Sequence, residues 1–162
     1  MKYIYIILTV IVLSGVAYYI LPKDNSLGQR QTEIHERGSL VMPFNLDKTT
    51  HYFQQNDTGA VMEVRAKNSS DREQIALIRE HLQKEVDLFS QGDFGDPANL
   101  HGQDMPGLSV LETSADQFSV EYQELEDGAK LEYISDNPEV ITALHDWFMA
   151  QVMDHGTDAM SI

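Results

Sequence analysis

Residues Tyr3 to Leu21 form an unbroken run of uncharged, mostly apolar side chains at the N-terminus of this 162-residue chain. As an α-helix rising ~1.5 Å per residue, the run covers roughly 28 Å, close to the thickness of the hydrocarbon core of a bilayer. Tyrosines stand near both ends, where amphipathic rings favour the membrane interface, and Pro22 ends the run. The run therefore predicts a single membrane-spanning anchor over residues 1–22.

The alternative interpretation of the same run is a cleavable signal peptide. Gly15-Val16-Ala17 offers a small-x-small cleavage site after an apolar segment. The apolar residues beyond it favour an uncleaved anchor, and Lys2 favours a cytoplasmic N-terminus. Both interpretations place the rest of the chain outside the cytoplasm. It is either held at the inner or cytoplasmic membrane by a single pass, or secreted or periplasmic after cleavage.

The part of the chain that follows this run is strongly acidic. The formal net charge is −15, and every Asp and Glu comes after Lys23. Such a surface repels nucleic-acid phosphates, so we expect the membrane, and no nucleic acid, as a partner. The chain has no cysteine, which excludes disulfides, thiolate metal ligands and a cysteine nucleophile.

Beyond the anchor, the sequence divides into a polar tether over residues 23–39 and one extracytoplasmic domain over residues 40–162. Within the domain, the order strand, strand, helix occurs twice. Alternating apolar residues and turn signals predict the strands, and N-cap chemistry predicts where the helices begin. The strands are predicted over Thr50–Gln55, Ala60–Ala66, Phe118–Leu125 and Ala129–Ile134, and the helices from residues 68–71 to about Gln91 and from Pro138 to about Asp154.

The alternation leaves one face of the predicted sheet apolar and the other polar, so the helices are expected to cover the apolar face. We therefore predict an α+β fold, in which a transmembrane helix is followed by a two-layer sandwich of antiparallel sheet and helices. Gly59-Ala60-x-x-Glu63 matches Gly128-Ala129-x-x-Glu132, which is consistent with a duplicated strand-strand-helix unit. Two similar amphipathic helices can also arise without duplication.

A segment rich in Gly and Pro, residues 92–107, connects the two halves. A connection this long inside a small domain is often functional. It holds Asp93, Asp96, His101 and Asp104, and an Asp paired with the His would serve as a general base. The alternative is ordinary turn chemistry. The chain has no Gly-x-Ser-x-Gly elbow, Walker loop or dinucleotide fingerprint, so enzymatic activity stays an open question.

Histidine and methionine side chains form two candidate metal sites. The first consists of His51, His81 and His101, with Met105 as a soft fourth ligand; the weaker second set is His145, Met149, Met153 and His155. A strand, a helix and a loop carry the first three rings, and imidazole is the commonest transition-metal ligand. Histidine with methionine suits copper, whereas zinc would use the histidines with Asp or Glu. The alternative is packing, with each histidine a core residue that makes one hydrogen bond.

Five short segments between residues 45 and 157 carry a family resemblance. They are Arg79-Glu80-His81-Leu82, Gly92-Asp93-Phe94-Gly95-Asp96-Pro97, His101-Gly102, Met105-Pro106-Gly107-Leu108 and Asp154-His155-Gly156. In these segments the chain resembles a family of small exported or membrane-anchored bacterial proteins of unsettled function, sometimes labelled aspartate carbamoyltransferase. The resemblance implies a location in the bacterial envelope and directs attention to His81, His101 and His155. Carbamoyltransferase activity is not supported, because the chain lacks the Ser-x-Arg-Thr phosphate loop of true carbamoyltransferases. It is also too short to hold the two domains of those enzymes.

These patterns together predict a membrane-anchored extracytoplasmic domain that binds a transition-metal ion or a small ligand. One alternative is a protein-interaction or envelope-assembly module that uses the polar sheet face or the long loop. The other is a small envelope hydrolase. The spatial arrangement of the histidines separates these functions most directly.

Overall fold

The computed structural model describes residues 26–162 of the chain. The predicted anchor over residues 1–22 lies outside this range. Within the described range, no helix combines the length and the apolar character that crossing a membrane requires. The helices are α1 (Ser26–Val41), α2 (Arg72–Phe89), α3 (Gly95–His101), α4 (Leu108–Thr113) and α5 (Pro138–His155), and the strands are β1 (Thr49–Asn56), β2 (Gly59–Ala66), β3 (Ser119–Leu125), β4 (Gly128–Ile134) and β5 (Ala159–Ser161).

The five strands form one sheet in the order β3-β4-β2-β1-β5. Neighbouring strands among β1 to β4 are antiparallel, but β5 runs parallel to β1, with His51 opposite Ala159. The predicted antiparallel sheet was therefore wrong, and the fold class is α+β with a mixed sheet. The fifth strand was not predicted because a three-residue strand is too short to show alternation.

Helices α2 and α5 cover one face of the sheet and form the second layer, as the alternation predicted. Asp71 caps α2 by accepting a hydrogen bond from the backbone N–H of Gln74 at 3.3 Å. Asn137 caps α5 by accepting from the N–H of Glu139 at 2.9 Å, and Pro138 fits the first turn. The capping residues of the sequence thus begin both helices where expected.

The two strand-strand-helix units meet at the central pair β2–β4, and equivalent glycines mark both ends of that pair. A Cβ on Gly59 would lie 2.0 Å from the carbonyl oxygen of Tyr133, and one on Gly128 would lie 1.9 Å from that of Val64. No side chain fits at either position without moving the backbone. The similarity of the two Gly-Ala segments therefore reflects the same close approach, made once from each unit.

Helix α1 occupies most of the segment that was predicted as a tether. It packs against α5 and α3, and Ile34 and Gly38 are its buried residues. A Cβ on Gly38 would lie 2.8 Å from the side chain of Leu46, so the glycine permits close packing. The segment has so few apolar residues that its composition resembled a linker. Its helical structure depends on these contacts with the domain.

The Gly- and Pro-rich segment between the halves is ordered and contains α3 and α4. Phe94, immediately before α3, stacks on Phe89 with ring centroids 4.7 Å apart and contacts the ring of Trp147 edge-on. Leu108 and Leu111 of α4 are fully buried. This packing positions His101 at the end of α3.

Candidate functional site

A small cavity lies between the sheet, α2, α3 and α5, with Met42 at one side. Its volume is about 40 Å³. Apolar side chains such as Leu82, Phe89 and Trp147 form part of its wall. The polar side chains around it are His51, His81, Glu85, Asp96, His101, Gln151 and His155.

Regular secondary structure brings these polar groups to the cavity. His51 shares the helix-facing side of β1 with Phe53, because alternate residues of a strand face the same way. His81 and Glu85 are separated by one turn of α2, and Gln151 and His155 by one turn of α5. Four of the polar groups thus come from two helix faces that point inward.

The histidine rings are buried and close to one another. His51 and His155 stack with ring centroids 5.0 Å apart, and His101 meets His155 edge-on at 4.9 Å. Burial lowers the pKa of His51 and of His81 to about 4 in each case, and lowers that of His155 well below its usual value. These three rings are therefore neutral at pH 7 and bring no positive charge to the cavity.

His101 is oriented by a carboxylate. Its Nδ1 lies 2.9 Å from Oδ2 of Asp154, which also accepts from Nη2 of Arg30 at 2.6 Å. Burial acts to raise the pKa of Asp154, but the hydrogen bonds from His101 and Arg30 outweigh it and lower the pKa to about 2. Since an ionised carboxylate only accepts, Nδ1 of His101 donates to Asp154, which leaves Nε2 as the ring nitrogen that can exchange a proton.

Glu85 has the opposite environment. Its side chain is only 4% exposed, and Lys84 and His81 lie 3.7 and 3.8 Å from Oε1, beyond hydrogen-bond distance. Burial, together with the neighbouring Asp96 carboxylate, raises the pKa of Glu85 to about 7. Asp96 itself is paired with Lys84 at 2.9 Å. Glu85 therefore exchanges a proton near neutral pH and offers a donor or an acceptor to the cavity.

Several buried polar atoms around the cavity have no hydrogen-bond partner among residues 26–162. Those on cavity-lining side chains are Nδ1 of His51, Oε1 of Glu85, Nε1 of Trp147 and Nε2 of Gln151; the hydroxyl of Tyr133 is a fifth. An unsatisfied buried group costs about 1–3 kcal/mol, and native proteins contain few. Four such atoms around one cavity indicate that a bound molecule or ordered water supplies their partners.

The structure brings the first predicted histidine set to one cavity. His51, His81 and His101 all line it, whereas Met105 is buried in the hydrophobic core outside the lining. Across residues 26–162, no group of three or more His, Asp or Glu side chains is arranged to hold a metal ion. Copper or zinc binding by this set stays a prediction.

The second predicted set is divided. His155 belongs to the cavity, but Nε2 of His145 lies 3.0 Å from the carbonyl oxygens of Asn56 and of Gly59, at a turn of the sheet. Met149 and Met153 are more than half exposed on α5. Residues of one helix that were grouped by sequence therefore face different surroundings.

The predicted catalytic aspartates also separate. Asp96 lines the cavity, while Asp93 accepts a hydrogen bond from the backbone N–H of Gly95 at 2.9 Å, an ordinary turn role. Asp104 is exposed and lies outside the cavity lining. The carboxylate that pairs with His101 is Asp154, which directly precedes His155 on α5.

Sequence reasoning missed Arg30, Glu85, Trp147 and Gln151. Glu85 follows His81 by four residues, and His155 follows Gln151 by four. This spacing could have indicated a site, because polar side chains on a buried helix face are costly unless they have polar partners. Arg30 gave no such signal, since its partner is remote in sequence. Comparison of the chain with protein-family models, with curated proteins and with solved structures found no match.

Proposed function

We propose that the domain binds a small polar organic molecule in the cavity between α2, α3 and α5. Under this proposal the domain works outside the cytoplasm, held at the membrane by the apolar run at residues 3–21. The proposal depends on one observation: four buried polar atoms around the cavity lack hydrogen-bond partners in the described structure.

The polar atoms select the ligand by hydrogen bonding. Trp147 and Gln151 offer N–H donors, which need an acceptor such as a carbonyl oxygen. Glu85 offers an oxygen that accepts from an N–H or O–H of the ligand. A planar group with an acceptor and a donor side by side, such as a primary amide, meets both requirements. A cavity of about 40 Å³ has room for roughly three water-sized groups, so the ligand or its buried part is small.

The charges of the side chains around the cavity narrow the class of ligand further. The low pKa values leave His51, His81 and His155 neutral, and Glu85 brings negative charge when it ionises. An anion would gain no cationic partner from these three histidines and would enter a strongly acidic protein. Uncharged ligands are therefore favoured, small cations come second, and anions are disfavoured.

The test compares three probes of equal size on the full chain in detergent micelles: acetamide, acetamidinium and acetate. Trp147 is the only tryptophan, so its indole N–H resonance reports the cavity without ambiguity. We expect acetamide to shift this resonance most. Gln151→Met should weaken acetamide binding about tenfold through loss of a buried donor, while Gln54→Met on the exposed side of β1 should not.

Two outcomes oppose the proposal. If none of the three probes moves the Trp147 resonance or raises the unfolding temperature, the cavity holds only water. If Zn(II) or Cu(II) shifts the resonance while the organic probes do not, the metal hypothesis replaces the organic ligand.

A second candidate function is hydrolysis of a small ester or amide, favoured by the His101–Asp154 pair. Nε2 of His101 would take a proton from water as the water oxygen attacks the acyl carbon; the bond to the leaving group then breaks, and the leaving group receives that proton. Hydrolysis of 4-nitrophenyl acetate tests it. His101→Gln should reduce the rate at least about tenfold, and His145→Gln, outside the cavity, should not.

A further inference from the structure

We propose that α1 is a movable cover whose release uncovers the His155 side of the cavity. The inference rests on the proposed function for its purpose, but the opening itself is measurable without any ligand. Four side-chain contacts, one shared histidine and the sparse packing of α1 carry the argument.

The polar contacts of α1 are concentrated on the C-terminal ends of two helices. Arg30 forms a two-pronged pair with Asp154 and also donates to the carbonyl oxygen of His101 at 2.9 Å. Arg37 reaches the carbonyl of Leu100 at 3.3 Å, and Gln31 that of Met153 at 2.9 Å. These donors satisfy free carbonyls at the helix ends, and the two arginines also oppose the negative pole of the helix dipole. Docked α1 thus holds both segments that carry His101 and His155.

His155 forms the boundary between the cavity and the outside. It lines the cavity and also a shallow surface groove whose other wall is α1, at Gln31 and His35. The ring is 6% exposed. If α1 departs, this groove opens, and His155 becomes a wall shared by solvent and the cavity.

Helix α1 is held mainly by polar contacts. Ile34 and Gly38 are its two buried residues, whereas α2 buries seven. Hydrogen bonds and partly exposed ion pairs exchange for water at small net cost, so an element with little buried apolar area opens at low free energy. Release of α1 therefore requires much less free energy than global unfolding.

The position of α1 in the sequence gives the movement a source of control. Ser26 follows the apolar N-terminal run after a few residues. Any force or contact that acts on the membrane-proximal segment reaches α1 before it reaches the rest of the domain. The cover would then link ligand access to the state of the N-terminal segment.

The experiment measures access to the buried histidines in the full chain. Diethyl pyrocarbonate modifies accessible neutral imidazoles, and mass spectrometry gives the rate at each histidine. Arg30→Gln removes the ion pair, and Ile34→Ala weakens the apolar contact without changing any charge near His101. We expect both variants to raise the labelling rate of His155 about tenfold or more and to leave His145 unchanged. Arg72→Gln, at the start of α2, is the matched charge control.

Hydrogen exchange of the backbone amides shows whether release of α1 causes the faster labelling of His155. Both variants should speed exchange of α1 amides while α2 amides keep their protection, which separates release of α1 from unfolding. The proposal is overturned if α1 exchange rises without faster labelling of His155, or if neither changes. Failure of acetamide to bind, with faster labelling observed, would count against the proposed function alone.

Discussion

His51 on β1 and His155 at the end of α5 stack with ring centroids 5.0 Å apart, although they lie at opposite ends of the domain sequence. The short parallel strand explains the contact. His51 is paired with Ala159 in register, and Ala159 follows His155 after a single turn at residues 156–158. The three-residue strand β5 thus fixes the end of α5 over β1 and closes one side of the cavity.

Deleting residues 159–162 should therefore disturb the site as well as stability. The chain loses the buried Ala159 and the hydrogen bond from the N–H of Ile162 to the carbonyl of Phe53. We expect a loss of about 1–3 kcal/mol in the free energy of unfolding, measured by urea titration, and a larger separation of the two rings, measured by NMR. Met160→Thr at an exposed position is the control. An unchanged ring contact after deletion would show that β5 does not position α5.

The buried histidines predict loss of stability in mild acid. The folded-state pKa of His51 is about 4, below the ordinary 6.5, so the unfolded chain takes up the proton first. The contribution of His51 to the free energy of unfolding is fully present above pH 6.5. It decreases by up to about 3 kcal/mol as the pH falls toward 4. In His51→Phe, the free energy of unfolding should depend less steeply on pH between pH 6.5 and 4.5. An equally steep dependence in this variant would contradict burial as the cause.

Glu85 predicts the opposite dependence on the alkaline side. Its folded-state pKa of about 7 exceeds the ordinary 4.5, so the folded state favours the protonated form. The contribution of Glu85 is fully present below pH 4.5 and is lost as the pH rises through 7. Glu85→Gln should stabilise the protein by about 2 kcal/mol at pH 8 and have little effect at pH 5. Thermal unfolding at the two pH values measures this, and equal effects at both would exclude proton uptake by Glu85.

The pair Arg30–Asp154 should show measurable coupling. Asp154 is 8% exposed and accepts from both Arg30 and His101, so Asp154→Asn leaves the Arg30 guanidinium and the His101 N–H with a weaker partner. A double-mutant cycle with Arg30→Gln should give a coupling energy of about 1 kcal/mol, since the arginine is about half exposed. Urea unfolding of the four proteins gives the value. A coupling near zero would mean that Arg30 docks α1 without help from this carboxylate.

The glycines of the central strand pair should tolerate no side chain. Gly59→Ala and Gly128→Ala would each place a Cβ about 2 Å from a backbone carbonyl oxygen. We expect losses above about 3 kcal/mol, because two paired strands must separate. Gly102→Ala is the control: its φ of 102° carries a conformational cost, but its Cβ meets no neighbour within 4 Å. Chemical denaturation of the three variants measures these losses. Equal losses of unfolding free energy in all three would contradict the close approach of the two strands.

Local patterns predicted much of the fold. Alternation placed β1 to β4 close to their observed bounds, and Asp71 and Asn137 cap helices as expected. Residues 26–39, which were expected to belong to a tether, are helical and pack on the domain, and the sheet is mixed where an antiparallel one was expected. The helix α1 and the strand β5 have little apolar periodicity of their own, and both depend on contacts with distant residues.

The amino-acid sequence by itself determined the periodic elements, the charge of −15 and the histidines that could meet, because these depend on residue type and near neighbours. Only the tertiary structure decided that His155 joins His51 and His101, that His145 does not, and that Arg30, Glu85 and Gln151 complete the surroundings. The physical reason is range. Strand alternation and helix capping act over a few residues, whereas burial, ion pairing and pKa shifts arise from groups that only folding brings together.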